Sequence, residues 1–139
     1  MPFARLTLSQ TPSADDAQYL STELTRLIAD ELAKQHELTS VLIETPISNR
    51  WTIGASLRHT AAHLEVCVTA GTNNEAQKRA FIAAAMALLR ETIAQLDAAT
   101  YVVIKEVAGS DWGYDGRTQA DRARQRETDA AAVARQGVV

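Results

Sequence analysis

The sequence predicts an α+β fold: two tandem β-α-β repeats that build a four-stranded sheet with two helices on one face, assembled as a trimer. Three observations carry that prediction: an internal doublet, an alternating apolar strand opening each half, and an amphipathic helix between two strands in each half. Repetition is the first signal to seek, because it sets the architecture. Placing Trp51 over Trp112, an offset of 61 positions, brings Val41-Leu42-Ile43 onto Val102-Val103-Ile104. The same offset lays Leu20, Leu24, Leu27, Ile28 and Leu32 over Phe81, Ala85, Leu88, Leu89 and Ile93. At the opening strands an offset of 60 matches Ala4, Leu6 and Leu8 to Leu64, Val66 and Val68, so one residue separates the two strand-to-helix loops in length. The chain divides into a first repeat over 2–56, a linker over 57–61, a second repeat over 62–119 and a helical tail over 120–139. At 139 residues all of this fits one domain.

Each repeat reads as strand, helix, strand and a hairpin-like excursion. In the first, Ala4, Leu6 and Leu8 alternate with Phe3, Arg5 and Thr7, the period of a half-buried strand. Thr11-Pro12 offers an N-cap and an N1 proline, and Ser13 with Asp16 offers an alternative cap. Ala17, Leu20, Leu24, Leu27, Ile28 and Leu32 then advance by threes and fours, giving a helix with one apolar face that ends within 34–37. A strand over 40–45 follows, and an irregular turn over 46–54 carries Trp51. In the second repeat, Leu64, Val66 and Val68 form the core face of a strand that ends at Gly71-Thr72. Thr72 and Glu75 have capping-box spacing ahead of a helix with apolar positions Ile82, Ala85, Leu89, Ile93 and Leu96. Residues 101–107 are rich in β-branched and aromatic types, and Asp115-Gly116 favours a tight turn with positive φ.

A helix between two strands implies parallel pairing within each half. Both helices then cover one face of the sheet, and packing three such sheets around an axis covers the other. Hence the expected homotrimer, with the excursions reaching neighbouring subunits.

Composition narrows the function. A net charge of −3 and apolar runs far short of the ~20 residues of a membrane span argue against nucleic acid and membrane partners. Neither a cationic n-region nor an apolar h-region opens the chain, so a cytoplasmic protein is expected. Cys67 alone excludes an internal disulfide, and His36, His59 and His63 lack metal-ligand spacing, so neither metal nor cofactor is expected. The tail mixes Arg122, Arg124, Arg126 and Arg135 with Asp121, Glu127 and Asp129, as a solvated helix does.

The residue type that points to chemistry is Pro2, at the start of the first strand. Removal of Met1 would make it a free secondary amine. An α-amino group titrates near ~8, and burial or neighbouring cations lower that value toward the range of a general base.

Pro2, the doublet of about 60 residues, and the segments Arg50-Trp51-Thr52-Ile53-Gly54 and Asp111-Trp112-Gly113-Tyr114-Asp115-Gly116 together resemble the tautomerase superfamily. The similarity is to 4-oxalocrotonate tautomerase in its fused two-repeat form, and it spans roughly 2–119. It implies that Pro2 is the catalytic base and acid, shuttling a proton on a small enol or unsaturated keto acid. It implies too that Trp51 and Trp112 stand where an aromatic hairpin residue walls the active site. The resemblance also marks departures. The family's arginine between first strand and helix is absent from Gln10-Thr11-Pro12 and Gly71-Thr72-Asn73, and a second is replaced by Ser40 and Tyr101. Bidentate arginine is the usual carboxylate clamp. The nearby cations that could substitute are Arg5, Arg58, Lys105 and Arg117, so the candidate substrate-binding set is Trp51, Arg58, Tyr101, Trp112 and Arg117. Two functions are compatible with these residues: a tautomerase-type isomerase acting on a small carboxylate or enol, or an oligomer of the same fold that binds a small molecule or protein without turnover.

Overall fold

The computed structural model describes residues 1–47 and 50–137. Residues 48–49 of the expected turn and 138–139 of the expected tail lie outside the described residues. The element order is β1 (Phe3–Leu8), α1 (Ala14–Leu32), β2 (Ser40–Glu44), a short hairpin of β3 (Thr52–Ile53) and β4 (Ser56–Leu57), β5 (Ala62–Thr69), α2 (Glu75–Thr92), β6 (Tyr101–Val107), a second hairpin of β7 (Gly113–Tyr114) and β8 (Arg117–Thr118), and α3 (Gln119–Gln136).

The four long strands form one mixed sheet in the order β2-β1-β5-β6. Each repeat contributes a parallel pair, β1 with β2 and β5 with β6, as the intervening helices require. The repeats meet through antiparallel β1 and β5, in a register that sets Phe3 opposite Cys67 and Leu8 opposite Ala62. Strand alternation sends Ala4, Leu6, Leu8, Leu64, Val66 and Val68 to one face, where each is at most 3% exposed. Both helices cover that face in a single core. Their inward positions are Leu20, Leu24, Leu27 and Ile28 on α1 and Phe81, Ala85, Leu88 and Leu89 on α2, the same pairs that the doublet superimposes.

Periodicity alone misplaced part of α2. Ile82 was expected in the core and is 40% exposed, whereas Phe81 beside it is fully buried. The helix ends at Thr92, so Ile93 is its cap and Leu96 belongs to the turn beyond; both pack on the core from outside the helix. The N-cap differs as well. Asn74, rather than Thr72, accepts from the Gln77 amide while the Gln77 side chain accepts from the Asn74 amide. The Thr72 hydroxyl is already engaged, donating to the Thr69 carbonyl at 2.6 Å. For α1, Ser13 is the cap, accepting from the Asp16 amide at 3.1 Å.

Opposite the helices the sheet carries a polar face with apolar members. Arg5 pairs with Glu44, while Glu65 bonds both Lys105 and His63. Phe3, Leu42 and Val103 stand among them, with no helix over them among the described residues.

Candidate functional site

The first residues of β1 decide where the chain terminus lies. The Pro2 side chain is fully buried, and its carbonyl accepts from the Ser40 amide at 3.2 Å, the parallel pairing of β1 with β2 continued one step back. Its nitrogen is therefore held at the end of a central strand. Met1, half-buried, reaches into a cavity of about 320 Å³. Three parts of the chain wall that cavity: the end of α1 with Ala33 and Lys34, the end of β5 with Thr69 and Thr72, and the second hairpin and α3 with Tyr114, Gln119 and Arg126.

The electrostatics follow from these neighbours. Burial pushes the α-amine below its ordinary value near 8, and the charges of Lys34, Arg126 and Arg122 push it further the same way. Lys34 is itself held below the usual lysine value by burial, and its ammonium donates to the Thr72 hydroxyl at 2.7 Å. No carboxylate lines the cavity among the described residues, and none forms an ion pair there with Lys34, Arg122 or Arg126. A small cavity with a poorly solvated amine and unopposed cations can take up an anion and move a proton.

Helix α3 reaches the cavity because the second hairpin aims it there. Thr118 caps it, accepting from the Asp121 amide at 3.0 Å. The Gln119 amide donates to the Trp112 carbonyl at 3.0 Å, and the Ala120 amide to the Gly109 carbonyl at 2.9 Å. A side chain at Gly109 would come within 3.3 Å of that Ala120 nitrogen, so the helix start lies directly against the backbone there. Arg122 finishes the docking by lying over the Tyr114 ring.

The candidates from sequence are scattered within one chain. Pro2 is buried directly behind Met1, which lines the cavity; Pro2 itself is not part of the lining. Trp112 touches the cavity indirectly, its indole donating to the Thr69 hydroxyl at 3.2 Å. Trp51 and Arg58 sit together on the first hairpin, the Arg58 amide bonding the Trp51 carbonyl at 2.8 Å. The Arg58 charge is taken by Asp97 at 2.9 Å, whose carboxyl is held low first by the Ala99 amide and then by Arg58. Tyr101 opens β6 opposite His63, at the far end of the sheet, and is 70% exposed. Arg117 faces Tyr114 across the second hairpin without lining the cavity. The other cations offered by the sequence, Arg5 and Lys105, are paired with Glu44 and Glu65. The cations found at the cavity are instead Lys34 and Arg126 in its lining, with Arg122 near enough to act on the α-amine, and only their position in space reveals it.

A second cavity, of about 360 Å³, lies at the other end of β1 around Ser9, Thr11, Thr60, Ala94 and Gln95. The doublet explains it. Its offsets carry Thr69 onto Ser9, Ala33 onto Ala94, Lys34 onto Gln95 and Pro2 onto Ala62. The cavity is the repeat's counterpart of the first, with an amide in place of the amine and glutamine in place of lysine.

A scan against protein-family models finds no match to the sequence, and a comparison with curated proteins finds none either. Solved structures do match. A fused 4-OT in its native form superimposes with a TM-score of 0.78 at 22% identity, covering 88% of this chain and 99% of its own. Another fused 4-OT, solved as an asymmetric trimer, gives 0.75 at 25% identity with the same coverage. A macrophage migration inhibitory factor-like protein from Entamoeba histolytica gives 0.72 at 18% identity, over 84% of this chain and 97% of its own. These superpositions span most of the chain, with its mixed four-stranded sheet and internal doublet, and the chain has the tautomerase-superfamily fold, fused 4-OT included among its matches.

Proposed function

We propose that the protein is a tautomerase-type enzyme that moves a proton on a small enol or unsaturated keto acid, with Pro2 as general base and acid once Met1 is removed. The observation that carries this is the surroundings of the chain start: Met1 lines a cavity, burial lowers the basicity of its α-amine, and Lys34, Arg126 and Arg122 lower it further. Removing Met1 vacates part of that cavity and transfers the terminal amine to Pro2, whose ring is already fixed by the sheet. The neutral amine accepts a proton from carbon or hydroxyl, and the ammonium returns it to the other centre. No cofactor is needed for such a transfer.

The protein acts as a homotrimer in this proposal. Trimeric fused 4-OT supports that assembly, as does the sheet face carrying Phe3, Leu42 and Val103, which a neighbour would cover. Trp51, Arg58, Tyr101, Trp112 and Arg117 take part in substrate binding by contact with an adjoining subunit's cavity. If Met1 is retained, Pro2 is an amide without basicity, and the same cavity serves binding alone.

Intact mass establishes the chain start, and ketonisation of phenylenolpyruvate by the protein and by Pro2→Ala tests the chemistry. A well-positioned proton-transfer group contributes about 10²- to 10⁴-fold, so a loss of at least about 10²-fold is expected in the variant. Equal rates would defeat the proposal.

A further inference from the structure

We propose that helix α3 completes the site: Arg126 on that helix and Lys34 after α1 together hold the carboxylate of the substrate, replacing the missing arginine clamp. This rests on the proposed use of the Pro2 cavity and identifies the groups that would orient an anion within it.

Four observations lead to it. Both side chains line the cavity, from opposite parts of the fold. Neither has an ion pair among the described residues, whereas Arg5, Arg58 and Lys105 are each committed to a carboxylate. The helix is fixed rather than trailing, through backbone bonds from Gln119 and Ala120 and through Arg122, which donates to the Tyr114 carbonyl at 3.0 Å. The counterpart cavity, with Gln95 where this one has Lys34, has no cation in its lining among the described residues. Cations gathered around only one of two related cavities mark that one for an anion.

The arrangement also has a chemical rationale. A carboxylate has two oxygens and can take one donor from each cation, which orients the rest of the molecule relative to the Pro2 nitrogen. Lys34 already gives one N–H to Thr72 and has others to offer.

The test is calorimetric binding of phenylpyruvate and of its uncharged methyl ester to the protein and to Arg126→Gln, Lys34→Gln and Arg126→Lys, with Arg90→Gln as control. Loss of a charge-assisted bond weakens binding by about ten- to hundredfold. The expected result is that loss for phenylpyruvate in both glutamine variants, little change for the ester, partial recovery in Arg126→Lys and none of these effects in Arg90→Gln. Unchanged phenylpyruvate affinity in Arg126→Gln and Lys34→Gln, equal losses for acid and ester, or a protein that binds neither probe would overturn the inference. Selective acid binding without ketonisation would leave the clamp standing and defeat only the catalytic proposal. Ketonisation with unchanged affinity in both glutamine variants would do the reverse.

Discussion

The guanidinium of Arg122 lies 3.8 Å from the centroid of the Tyr114 ring and also donates to the carbonyl of the same residue. One residue thus receives both a face contact and a hydrogen bond, and the first turns of α3 are tied to the second hairpin. The Arg122 Nε, buried without a hydrogen-bond partner among the described residues, shows how closely the group is packed. A cation–π contact is worth about 0.5–2 kcal/mol, enough to govern whether a largely exposed helix stays docked. Tyr114→Ala should therefore raise amide hydrogen exchange throughout α3 and weaken phenylpyruvate binding, while Tyr114→Phe, which keeps the ring, should do neither. Protection of core amides in β1 and β5 should stay unchanged in both variants.

The lowered α-amine makes a prediction with a definite sign. In the folded chain the amine releases its proton below its ordinary value near 8, so its stability contribution is complete above that value. The contribution is lost as pH falls through the folded pKa, because the unfolded chain then binds more protons. The lowered amine in this structure is that of Met1; if the Pro2 amine, freed by removal of Met1, meets the same burial and cations, kcat/KM should rise along an acidic limb whose midpoint is below 8. A bound carboxylate would offset the cations, so the limb in kcat should lie at higher pH than the limb in kcat/KM. Stopped assays across the pH range, with an identical midpoint for the two parameters, would exclude that coupling.

The buried face of α2 can be checked directly. Phe81 has no solvent exposure and Ile82 has 40%. Truncating a fully buried phenylalanine to alanine costs about 3–5 kcal/mol through lost transfer energy and the cavity left behind. Phe81→Ala should show a loss of that size in urea unfolding, and Ile82→Ala should cost less than about 1 kcal/mol.

The two hairpins differ at both turn positions, and the consequence should be measurable. Gly54 and Ala55 both have positive φ, at 58° and 64°, where the second hairpin has Asp115 and Gly116 at 50° and 78°. A β-carbon at φ +64° is strained. Ala55→Gly should raise stability by on the order of 0.5 kcal/mol, the relief of strain exceeding the added chain entropy. Gly113→Ala should act oppositely, since its β-carbon would overlap the Arg117 carbonyl across the hairpin. Thermal unfolding of the two variants distinguishes the signs.

The core was legible in the sequence where a pattern is enforced twice. Alternation placed Ala4, Leu6 and Leu8 correctly, and the doublet transferred the buried face of α1 onto Phe81, Ala85, Leu88 and Leu89. Helical periodicity alone admitted Ile82, because an alanine-rich helix offers several apolar stripes of similar strength. Thr72 had the spacing of a cap but lost to Asn74, since the Thr69 carbonyl and Lys34 compete for its hydroxyl. The cavity's cations were hidden for another reason. Lys34 and Arg126 approach Met1 only after α1, the second hairpin and α3 have all been folded, and no local pattern records a meeting of such distant segments. The mixed charges of the tail suggested solvation, which holds for most of α3 and fails at its first turns.

Because β1 and β5 run antiparallel through the middle of the sheet, the duplicated mouths open in opposite directions, yet a polypeptide begins only once. The mouth beside Ala62 cannot acquire an imino group by any substitution; it would need a side-chain base or a break in the backbone. Under the proposed function, that asymmetry releases its lining from the demands of proton transfer. Ser9 and Thr60 already hold structure there, Ser9 bonding His59 and Ala61 and Thr60 donating to the Gln95 carbonyl, whereas under the proposed function changes around Met1 would be answerable to chemistry.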